Sequence, residues 1–321
     1  MGTKRMEIVA ERLKRLTIGE RMGLAGLEML PILEAEVDGE DPLTLDEALA
    51  AGLVEISEVS EAGRVPELKF VNRAARPVLL LDGEELVGAK QNRILNLSIL
   101  APAGAELVIP VSCVEAGRWT WRTRRFAAAD RAWFAKARAR KMREVYWSLK
   151  TSGKPMASQR NVWEEIDARA ARLKVDHGAT LAAAELYWTY EEQMAAWLAA
   201  LAPQDGQVGA IFLVHGEVAG LELFRSPALF AKLAPKLIRS YAMDALDPAE
   251  ERLSPPAAFS AATRSASRLL DRLGSCAGES FPSVGLGTDL RLTAHELLGA
   301  ALVAEEAIIH LSAFPSSALA D

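Results

Sequence analysis

The sequence predicts an α+β fold, with a mostly antiparallel β core built from hairpins, a helical insertion and covering helices. Alternating polar and apolar residues fill most of residues 43–117, which is typical of strands. Residues 125–205 consist largely of good helix formers, and β-type patterns with turn signals return over residues 206–315. We expect these three parts to form a single domain over residues 1–321.

The first elements are predicted from an apolar stripe and from capping residues. Residues 4–16 form a helix with a partial apolar stripe, and residues 23–33 are extended. A short helix follows over residues 43–52. Thr44 is its N-cap, and Glu47, three residues later, completes a capping box.

Strands are predicted from five apolar or alternating segments before residue 118. They are LVEISEV, ELKFVN, PVLLLDGEELVGA, RILNLSIL and AELVIPVSCV. The third segment is interpreted as two strands around Asp82-Gly83, a dipeptide that favours hairpin turns. A sheet of hairpins is therefore expected over residues 43–117.

Helices are predicted from long segments without breakers and from capping residues. The segments are FAAADRAWFAKARARKMREVYWSLK, QRNVWEEIDARAARLK with Ser158 as its cap, and TLAAAELYWTYEEQMAAWLAAL. Ser226-Pro227 opens a later helix, and Ser254-Pro255 opens another that ends near Gly274.

Two late segments of equal length, residues 209–224 and 299–314, are each predicted to form a hairpin. They align without a gap and share four identical residues, which is weak support for a duplication. A hairpin alone cannot bury its apolar face, so we expect helices or a second sheet to cover each one.

Composition narrows the class of protein. No apolar run approaches the ~18 residues of a membrane span, and the charged N-terminus lacks the apolar core of a signal peptide. Two distant cysteines, Cys113 and Cys276, exclude a disulfide framework and a four-thiolate zinc site. We expect a cytoplasmic protein with no membrane partner.

Charge is distributed unevenly along the chain. Between Arg118 and Arg160 there are nine Arg and four Lys against Asp130 and Glu144, a net charge of +11 in a chain whose total is −6. The rest therefore carries −17. A basic segment in an acidic chain is a candidate anion-binding element.

Aromatic residues interleave with these basic residues, as in CVEAGRWTWRTRRF. Arginine presents a planar fork to phosphate, and aromatic rings stack on bases, so Arg118, Trp119, Arg138 and Arg140 are candidate ligand-binding residues. Two alternatives stay open. The basic helix docks on acidic faces of its own chain or of a second copy in a homo-oligomer, or its charge is simply solvated.

The segment GAKQNR suggests a polar pocket at the end of a sheet. In strand geometry Gln91 and Arg93 continue the apolar face of Leu95, while Asn92 points to the opposite face. Burial of an amide and a guanidinium requires partners. We consider Gln91, Asn92 and Arg93 candidates for binding a phosphate or a base edge. The alternative is an internal pair, such as Arg93 with Glu84, Glu85 or Glu115.

Catalytic machinery is harder to find. Glu84, Glu85 and Glu115 are the candidate acid/base residues, although a salt bridge is the commoner use of Glu115 beside Arg118. Cys113, among apolar neighbours, is interpreted as a core cysteine. The four histidines form no metal-ligand spacing, and no phosphate loop is present, so we expect neither a metal nor another cofactor.

Several strings resemble a known family. LLLDGEELVGAKQNRILN and IPVSCVEAGRW, with SQRNVW, VGAIFLVHGEVAGLELFRSPALFAKLAPKLIRSYAMDAL and IIHLSAFP, are similar to the ARG-and-rhodanese/phosphatase-associated protein domain, a prokaryotic family of unknown function. The resemblance covers most of residues 43–315. It implies a role near ADP-ribose or RNA-damage chemistry and supplies no catalytic residues.

The SQRNVW string adds one more candidate. Gln159, at a predicted helix start, is a candidate ligand donor, although capping is the commoner role there, and Trp163 is interpreted as a core anchor.

Three functions remain after this reading. The first is a binding module for single-stranded nucleic acid or an ADP-ribose-like nucleotide ligand. The second is a hydrolase or transferase acting on an ADP-ribose or phosphoryl adduct, and the third is an oligomeric scaffold. The Arg/aromatic segment and the Gln91–Arg93 pocket favour the first.

Overall fold

The structure is a computed structural model that describes residues 2–35, 39–176, 182–250 and 259–319. Its helices are α1 (Gly2–Arg15), α2 (Leu45–Ala50), α3 (Ala135–Ser152), α4 (Gln159–Leu173), α5 (Ala184–Thr189), α6 (Glu191–Ala200), α7 (Pro227–Ala245) and α8 (Phe259–Gly274). A 3₁₀-helix covers Ser316–Leu319.

The strands run through most of the chain. They are β1 (Thr17–Ile18), β2 (Met22–Leu24), β3 (Leu27–Leu33), β4 (Leu43–Thr44), β5 (Val54–Glu58), β6 (Glu67–Asn72), β7 (Val78–Leu80), β8 (Glu84–Gly88), β9 (Arg93–Leu95), β10 (Ile99–Ala101), β11 (Glu106–Cys113), β12 (Phe126–Ala132), β13 (Gln207–Val214), β14 (Glu217–Phe224), β15 (Ala277–Pro282), β16 (Thr288–Ala294), β17 (Leu297–Ala304) and β18 (Ala307–Pro315). The α+β class with an antiparallel β core is confirmed.

Two compact units divide these elements. The first unit contains residues 1–41, 195–283 and 287–321, and the second contains residues 42–194 and 284–286. The single-domain expectation for residues 1–321 is not tested by this division and stays a prediction.

A nine-stranded antiparallel sheet forms the centre of the first unit. Its order is β1-β3-β13-β14-β18-β17-β16-β15, with β2 paired to β3. Helices α1 and α8 pack on one face, where Val9 and Leu269 join Ile211 in the apolar core. Helix α7 lies against β13 and β14, and its Tyr241 stacks on Phe212 at 4.1 Å between ring centroids.

The two late hairpins, β13–β14 and β17–β18, are confirmed, and their turns are alike. His215 and Gly216 have positive φ in the first turn, and Glu305 and Glu306 have positive φ in the second, as type I′ hairpin turns require. Each hairpin also shifts register at the equivalent step, after Phe212 and after Leu302. The repeat predicted from their equal length therefore extends to geometry.

The second unit is built on a six-stranded antiparallel sheet of order β12-β8-β9-β11-β6-β5. The sheet curls, so its two edge strands β12 and β5 contact each other. Its apolar interior includes Ile56, Phe70, Leu95 and Val111. A smaller sheet, β10-β7-β4, lies in the same unit, together with α2 to α5.

Capping predictions are confirmed at several helices. Thr44 and Glu47 form the predicted capping box of α2, and Ser158 accepts a hydrogen bond from a backbone N–H at the start of α4. Ser226 caps α7 with Pro227 behind it. Helix α8 ends at Gly274 as predicted, whereas the predicted start at Ser254-Pro255 lies outside the described residues.

Strand pairing in the second unit differs from the prediction in two places. The Asp82-Gly83 turn does not close a hairpin, because β7 pairs with β10 and β4 while β8 pairs with β9 and β12. The backbone of Gly83 instead bonds to Leu95 and Trp133. The RILNLSIL segment likewise divides into β9 and β10, which belong to different sheets.

The helical part also needs two corrections. Residues Phe126–Ala132 form strand β12, paired with β8, so the helix begins only at Ala135. The long helix predicted from Thr180 is two helices, α5 and α6, that meet at Tyr190, and its first residues lie outside the described ranges. Within the described ranges, none of the helices has the length and apolar character needed to cross a membrane.

Candidate functional site

Four polar side chains lie together at one end of the apolar interior of the second unit. We call Glu58, Gln91, Arg93 and Cys113 the inner polar cluster. Arg93 is directly opposite Cys113 in the register of β9 and β11. The core residues Leu95 and Val111 lie two residues away on the same face, so Arg93 and Cys113 continue that face. Glu58, the last residue of β5, continues the face of a core isoleucine in the same way. The predicted continuation of an apolar face by Arg93 is therefore confirmed, whereas the predicted strand through Gln91 is wrong, because residues 89–92 connect β8 to β9 outside both strands.

Arg93 is the central residue of this cluster. Its side chain is 0% exposed, and its Nη1 donates to Oε1 of Gln91 at 3.0 Å. Its Nε and Nη2 have no hydrogen-bond partner among the described protein atoms. Burial lowers the pKa of Arg93, and the negative charge of Glu58 opposes this. A buried donor without a hydrogen-bond partner costs about 1–3 kcal/mol, so these two nitrogens make Arg93 a candidate ligand-binding residue.

Glu58, which lies next to Arg93, is also buried and also lacks hydrogen-bond partners in the part of the chain that the structure describes. Its carboxylate is 1% exposed, and its Oε1 lies 3.8 Å from Nη2 of Arg93, too far for a hydrogen bond. Both carboxylate oxygens have no hydrogen-bond partner among the described atoms. Arg93 therefore forms an internal ion pair, as in the alternative left open from the sequence, but with Glu58 and not with Glu84, Glu85 or Glu115.

Cys113 is held by two glutamines. Gln159, at the start of α4, accepts from the Cys113 backbone N–H at 2.7 Å and donates to its carbonyl at 2.6 Å. The thiol donates to Oε1 of Gln91 at 3.0 Å. Burial raises the pKa of the Cys113 thiol, and the nearby Arg93 opposes this only in part. The thiol therefore stays protonated and packs as the predicted core cysteine.

A second set of charges lies beside the cluster, and we call it the carboxylate network. It contains Glu85, Asn92, Glu115, Arg118 and Arg131. Glu115 accepts from Arg118 at 2.8 and 2.6 Å and from the Asn92 backbone N–H at 3.1 Å. Glu85 accepts from Arg131 at 2.6 and 3.1 Å and from the Asn92 amide at 3.2 Å.

The carboxylates of this network are held by hydrogen bonds from arginines, which points to a structural role. Burial acts to lower the pKa of Arg131, but the charge of Glu85 and its hydrogen bond outweigh that and raise it. Glu115 is 0% exposed and fully engaged with Arg118. Glu84, the third acid/base candidate, accepts the Leu81 backbone N–H at 3.1 Å. Carboxylates tied to guanidinium or backbone donors are positioned to hold a site rather than to transfer protons.

A cover lies over the inner polar cluster. It consists of the loop 60–64 and the residues Lys90, Trp119, Trp121 and Arg124. Lys90 donates to the carbonyls of Glu61 and Ala62 at 2.6 and 2.8 Å, and its ammonium lies 5.4 and 5.1 Å from the two indole centroids. Trp119 and Trp121 are 43% and 37% exposed. Partly exposed indoles with cations above them can stack on an aromatic ligand.

Two residues of the cover, Trp119 and Gly63, lie close to the buried pair of Arg93 and Glu58. The Arg93 guanidinium lies 5.6 Å from the Trp119 ring centroid. A Cβ built on Gly63, whose φ is +73°, would lie 3.3 Å from Oε2 of Glu58 and 3.3 Å from the Trp119 ring. An exposed ion pair, Arg124 with Glu61 at 2.9 Å, ties the loop to the tryptophan segment.

The basic helix α3 is used inside the second unit. Arg138 is 0% exposed with its Nε 3.7 Å from Asp82, and the Lys141 ammonium also binds Asp82. Arg140 donates to Glu165 of α4 at 2.7 Å. These contacts match the alternative in which the helix docks on acidic groups of its own chain. The candidate residues Arg138 and Arg140 therefore do not form an open phosphate-binding face.

A charged cleft of about 710 Å³ lies in the first unit beside α1. Five basic and five acidic side chains line it, so its charge favours neither an anion nor a cation. Arg12, which lines it, is held by Glu34 and by the carbonyls of Phe224 and Ile308. This arrangement clamps α1 to the sheet and is weaker as a ligand site than the inner polar cluster.

Among the described residues, no three His, Cys, Asp or Glu side chains come together as a metal site would require. The sequence candidates Gln91, Asn92, Arg93 and Arg118 do lie together, with Gln159 behind Cys113. Trp119 joins them in the cover.

Sequence reasoning missed Glu58 and Lys90, whereas Trp121 lies in the predicted Arg/aromatic segment without having been singled out. The alternation in LVEISEV places Glu58 on the same face as Ile56, and that signal was sufficient to find the carboxylate. Nothing in the sequence indicated that β5 would end beside β9, because the two strands are not neighbours in the sheet.

Comparison with models of protein families gives a match. The model of a family described as the ARG and Rhodanese-Phosphatase-superfamily-associated Protein domain matches residues 15–314. No curated protein and no solved structure matches the chain.

Proposed function

We propose that this chain, which belongs to the ARG and Rhodanese-Phosphatase-superfamily-associated Protein domain family, binds a nucleotide-like ligand at the inner polar cluster and its cover. The description of the family names no reaction. The observation that carries the proposal is the fully buried Arg93, with two nitrogens that lack hydrogen-bond partners among the described atoms, beside the exposed indole of Trp119.

Charge determines which part of the ligand enters. Arg93 and Glu58 together carry no net charge, and both oxygens of Glu58 would repel a phosphate. A neutral group with donors and acceptors, such as a nucleobase, is complementary to the pair. The phosphates then remain outside, near the exposed Arg122, Arg124 and Arg125.

Aromatic stacking supplies the second part of the recognition. Trp119 and Trp121 keep more than a third of their surfaces exposed, and stacking on such rings contributes about 1–3 kcal/mol per base. An aromatic base, a ribose and phosphates therefore fit the cover together. An ADP-ribose-like ligand belongs to this chemical class.

A small ligand fits better than a long single strand. Extended binding of nucleic acid needs a row of accessible cations along the backbone. In α3 the cations Arg138 and Lys141 are buried against Asp82, so they offer no such row. The proposal is limited to binding, since Glu85 and Glu115 are already occupied by arginines.

Calorimetric titration with the common mononucleotides, ADP-ribose and an eight-nucleotide RNA tests the proposal. Trp119→Ala is compared with Trp188→Ala, an exposed tryptophan of α5 in the same unit. We expect at least one mononucleotide or ADP-ribose to bind. Loss of stacking should weaken binding about 5- to 150-fold in Trp119→Ala and leave it unchanged in Trp188→Ala.

Three results would contradict the proposal. One is the failure of all mononucleotides and ADP-ribose to bind at millimolar concentration. Another is an equal effect of the two tryptophan variants. A third is binding of RNA alone, with a steep loss between 50 and 200 mM salt, which would indicate a polyanion site elsewhere.

A further inference from the structure

We infer that the base selected by the inner polar cluster is guanine. This inference rests on the nucleotide-binding function proposed above and specifies its ligand. The supporting observation is that Arg93 and Glu58, a buried ion pair at 3.8 Å, offer two donors and two acceptors that have no hydrogen-bond partner among the described atoms.

The unpartnered nitrogens of Arg93 are Nε and Nη2, whereas its Nη1 is engaged by Gln91. Nε–H and Nη2–H lie on the same edge of the planar guanidinium and form a two-pronged fork. Such a fork binds two acceptors in one plane. The O6 and N7 atoms of guanine are the base acceptors that arginine binds most often in this way.

The acceptors of Glu58 match the neighbouring edge of the same base. A carboxylate with both oxygens unpartnered accepts two N–H groups in one plane, as the N1–H and the N2 amino group of guanine provide. On guanine, O6 lies next to N1. The 3.8 Å between Nη2 of Arg93 and Oε1 of Glu58 therefore suits one base that meets both side chains.

Other bases leave these buried groups unpaired. Adenine has an amino group next to N7, so one prong of Arg93 would face a donor, and within the proposed ligand class this disfavours AMP and ADP-ribose relative to a guanine nucleotide. Uracil and cytosine lack two adjacent N–H donors flanked by a carbonyl on the required side. An unpaired buried donor or acceptor is the strongest available source of discrimination against a wrong ligand.

Entry of the base requires the loop 60–64 to move. Gly63 lies directly on Glu58 and Trp119, and the loop is held by Lys90 and by the exposed pair of Arg124 with Glu61. The Arg124–Glu61 pair is exposed, and neither this pair nor the Lys90 contacts belong to the strand pairing, so we expect the loop to lift while the sheet stays paired. Trp119 is then positioned to stack on the base that Glu58 and Arg93 hold by its edges.

The test is calorimetric titration of the full chain with GMP, IMP and AMP. IMP is guanosine monophosphate without the N2 amino group, so it removes one donor to Glu58. We expect GMP to bind about 10-fold or more tightly than AMP and several-fold more tightly than IMP. Glu58→Gln should abolish the preference for GMP over IMP, whereas Glu106→Gln, on an exposed site of β11, should preserve it.

The outcomes separate this inference from the function beneath it. Equal binding of GMP and AMP, lost in both cases in Trp119→Ala, would overturn the choice of guanine and leave nucleotide binding intact. Absence of any nucleotide binding would overturn both. If Glu58→Gln does not fold, the ratio of GMP to IMP affinity on the wild-type chain decides the question, and Arg93→Lys, which keeps the charge and removes the fork, supplies the second variant.

Discussion

Replacement of Glu115 by glutamine should destabilise the second unit strongly, because this carboxylate is structural. Glu115 is fully buried and accepts charge-assisted hydrogen bonds of 2.8 and 2.6 Å from Arg118, whose side chain is only 7% exposed. Glu115→Gln keeps the shape but leaves the Arg118 charge buried without its partner. Breaking one side of a buried ion pair costs about 3–5 kcal/mol. Two charge-assisted bonds at about 1.5–3 kcal/mol each give the same magnitude.

Urea unfolding followed by tryptophan fluorescence measures this loss in the relevant unit. Of the seven tryptophans, all except Trp197 lie in the second unit. With a slope of about 1–3 kcal/mol per molar urea, the midpoint should fall by at least 1 M. The double variant Glu115→Gln/Arg118→Met should recover much of the loss, since it removes the stranded charge as well. The exposed control Glu164→Gln should leave the midpoint unchanged.

An unchanged midpoint for Glu115→Gln would refute this reasoning. It would mean that Arg118 does not depend on the carboxylate, and that Glu115 is free to act as an acid or base. Loss of an enzymatic turnover in a variant with wild-type stability would support that reading. A fall in both stability and ligand binding would instead agree with a network that holds Asn92 and the adjacent cluster in position.

Three further results are expected from other parts of the structure. Gly83→Ala should destabilise the protein by about 1–3 kcal/mol more than Gly52→Ala, measured by urea unfolding. Both glycines have positive φ, but a Cβ at Gly83 would lie 2.8 Å from the Arg138 side chain, whereas a Cβ at Gly52 would contact nothing among the described residues. Arg138→Glu should unfold at lower urea concentration, because the new carboxylate would be buried beside Asp82. A stable variant that only lost RNA binding would instead support the basic helix as an anion-binding element. Burial raises the pKa of Cys276 to about 11, so its protonated thiol contributes stability that is present below pH 9 and is lost as the pH rises through 11. Cys276→Ser should reduce this loss of stability at alkaline pH. Thiol labelling should modify Cys276 before the fully buried Cys113.

Local signals in the sequence predicted local structure well. The capping box of Thr44 and Glu47 and the two late hairpins are determined by residues within one or two turns of each other. Strand parity also placed Arg93 on the inner face with Leu95, because the two-residue period of a strand needs no knowledge of partners. It does not apply to Gln91, which lies between β8 and β9 and not in a strand.

Contacts between distant residues could not be predicted in the same way. Arg93 meets Glu58 only because the curled sheet brings β5 and β9 to the same end of its interior. The cations of α3 are buried by Asp82, more than fifty residues earlier in the chain. A helix that is basic on most sides is typical of a solvated surface, and only the fold revealed where Arg138 finds its acidic partner.

The division of the chain has a consequence for synthesis on the ribosome. The second unit is almost continuous, whereas strand β3 of the first unit pairs with β13, and Met29 meets Phe212 only 183 residues later. At about 5–20 residues per second, the β3 segment emerges many seconds before its partner. We expect the inner polar cluster to assemble during synthesis, while strand β3 has not yet paired with β13. An unpaired apolar edge such as LEMLPIL is then exposed for that interval, and it is the segment that a nascent-chain chaperone would bind.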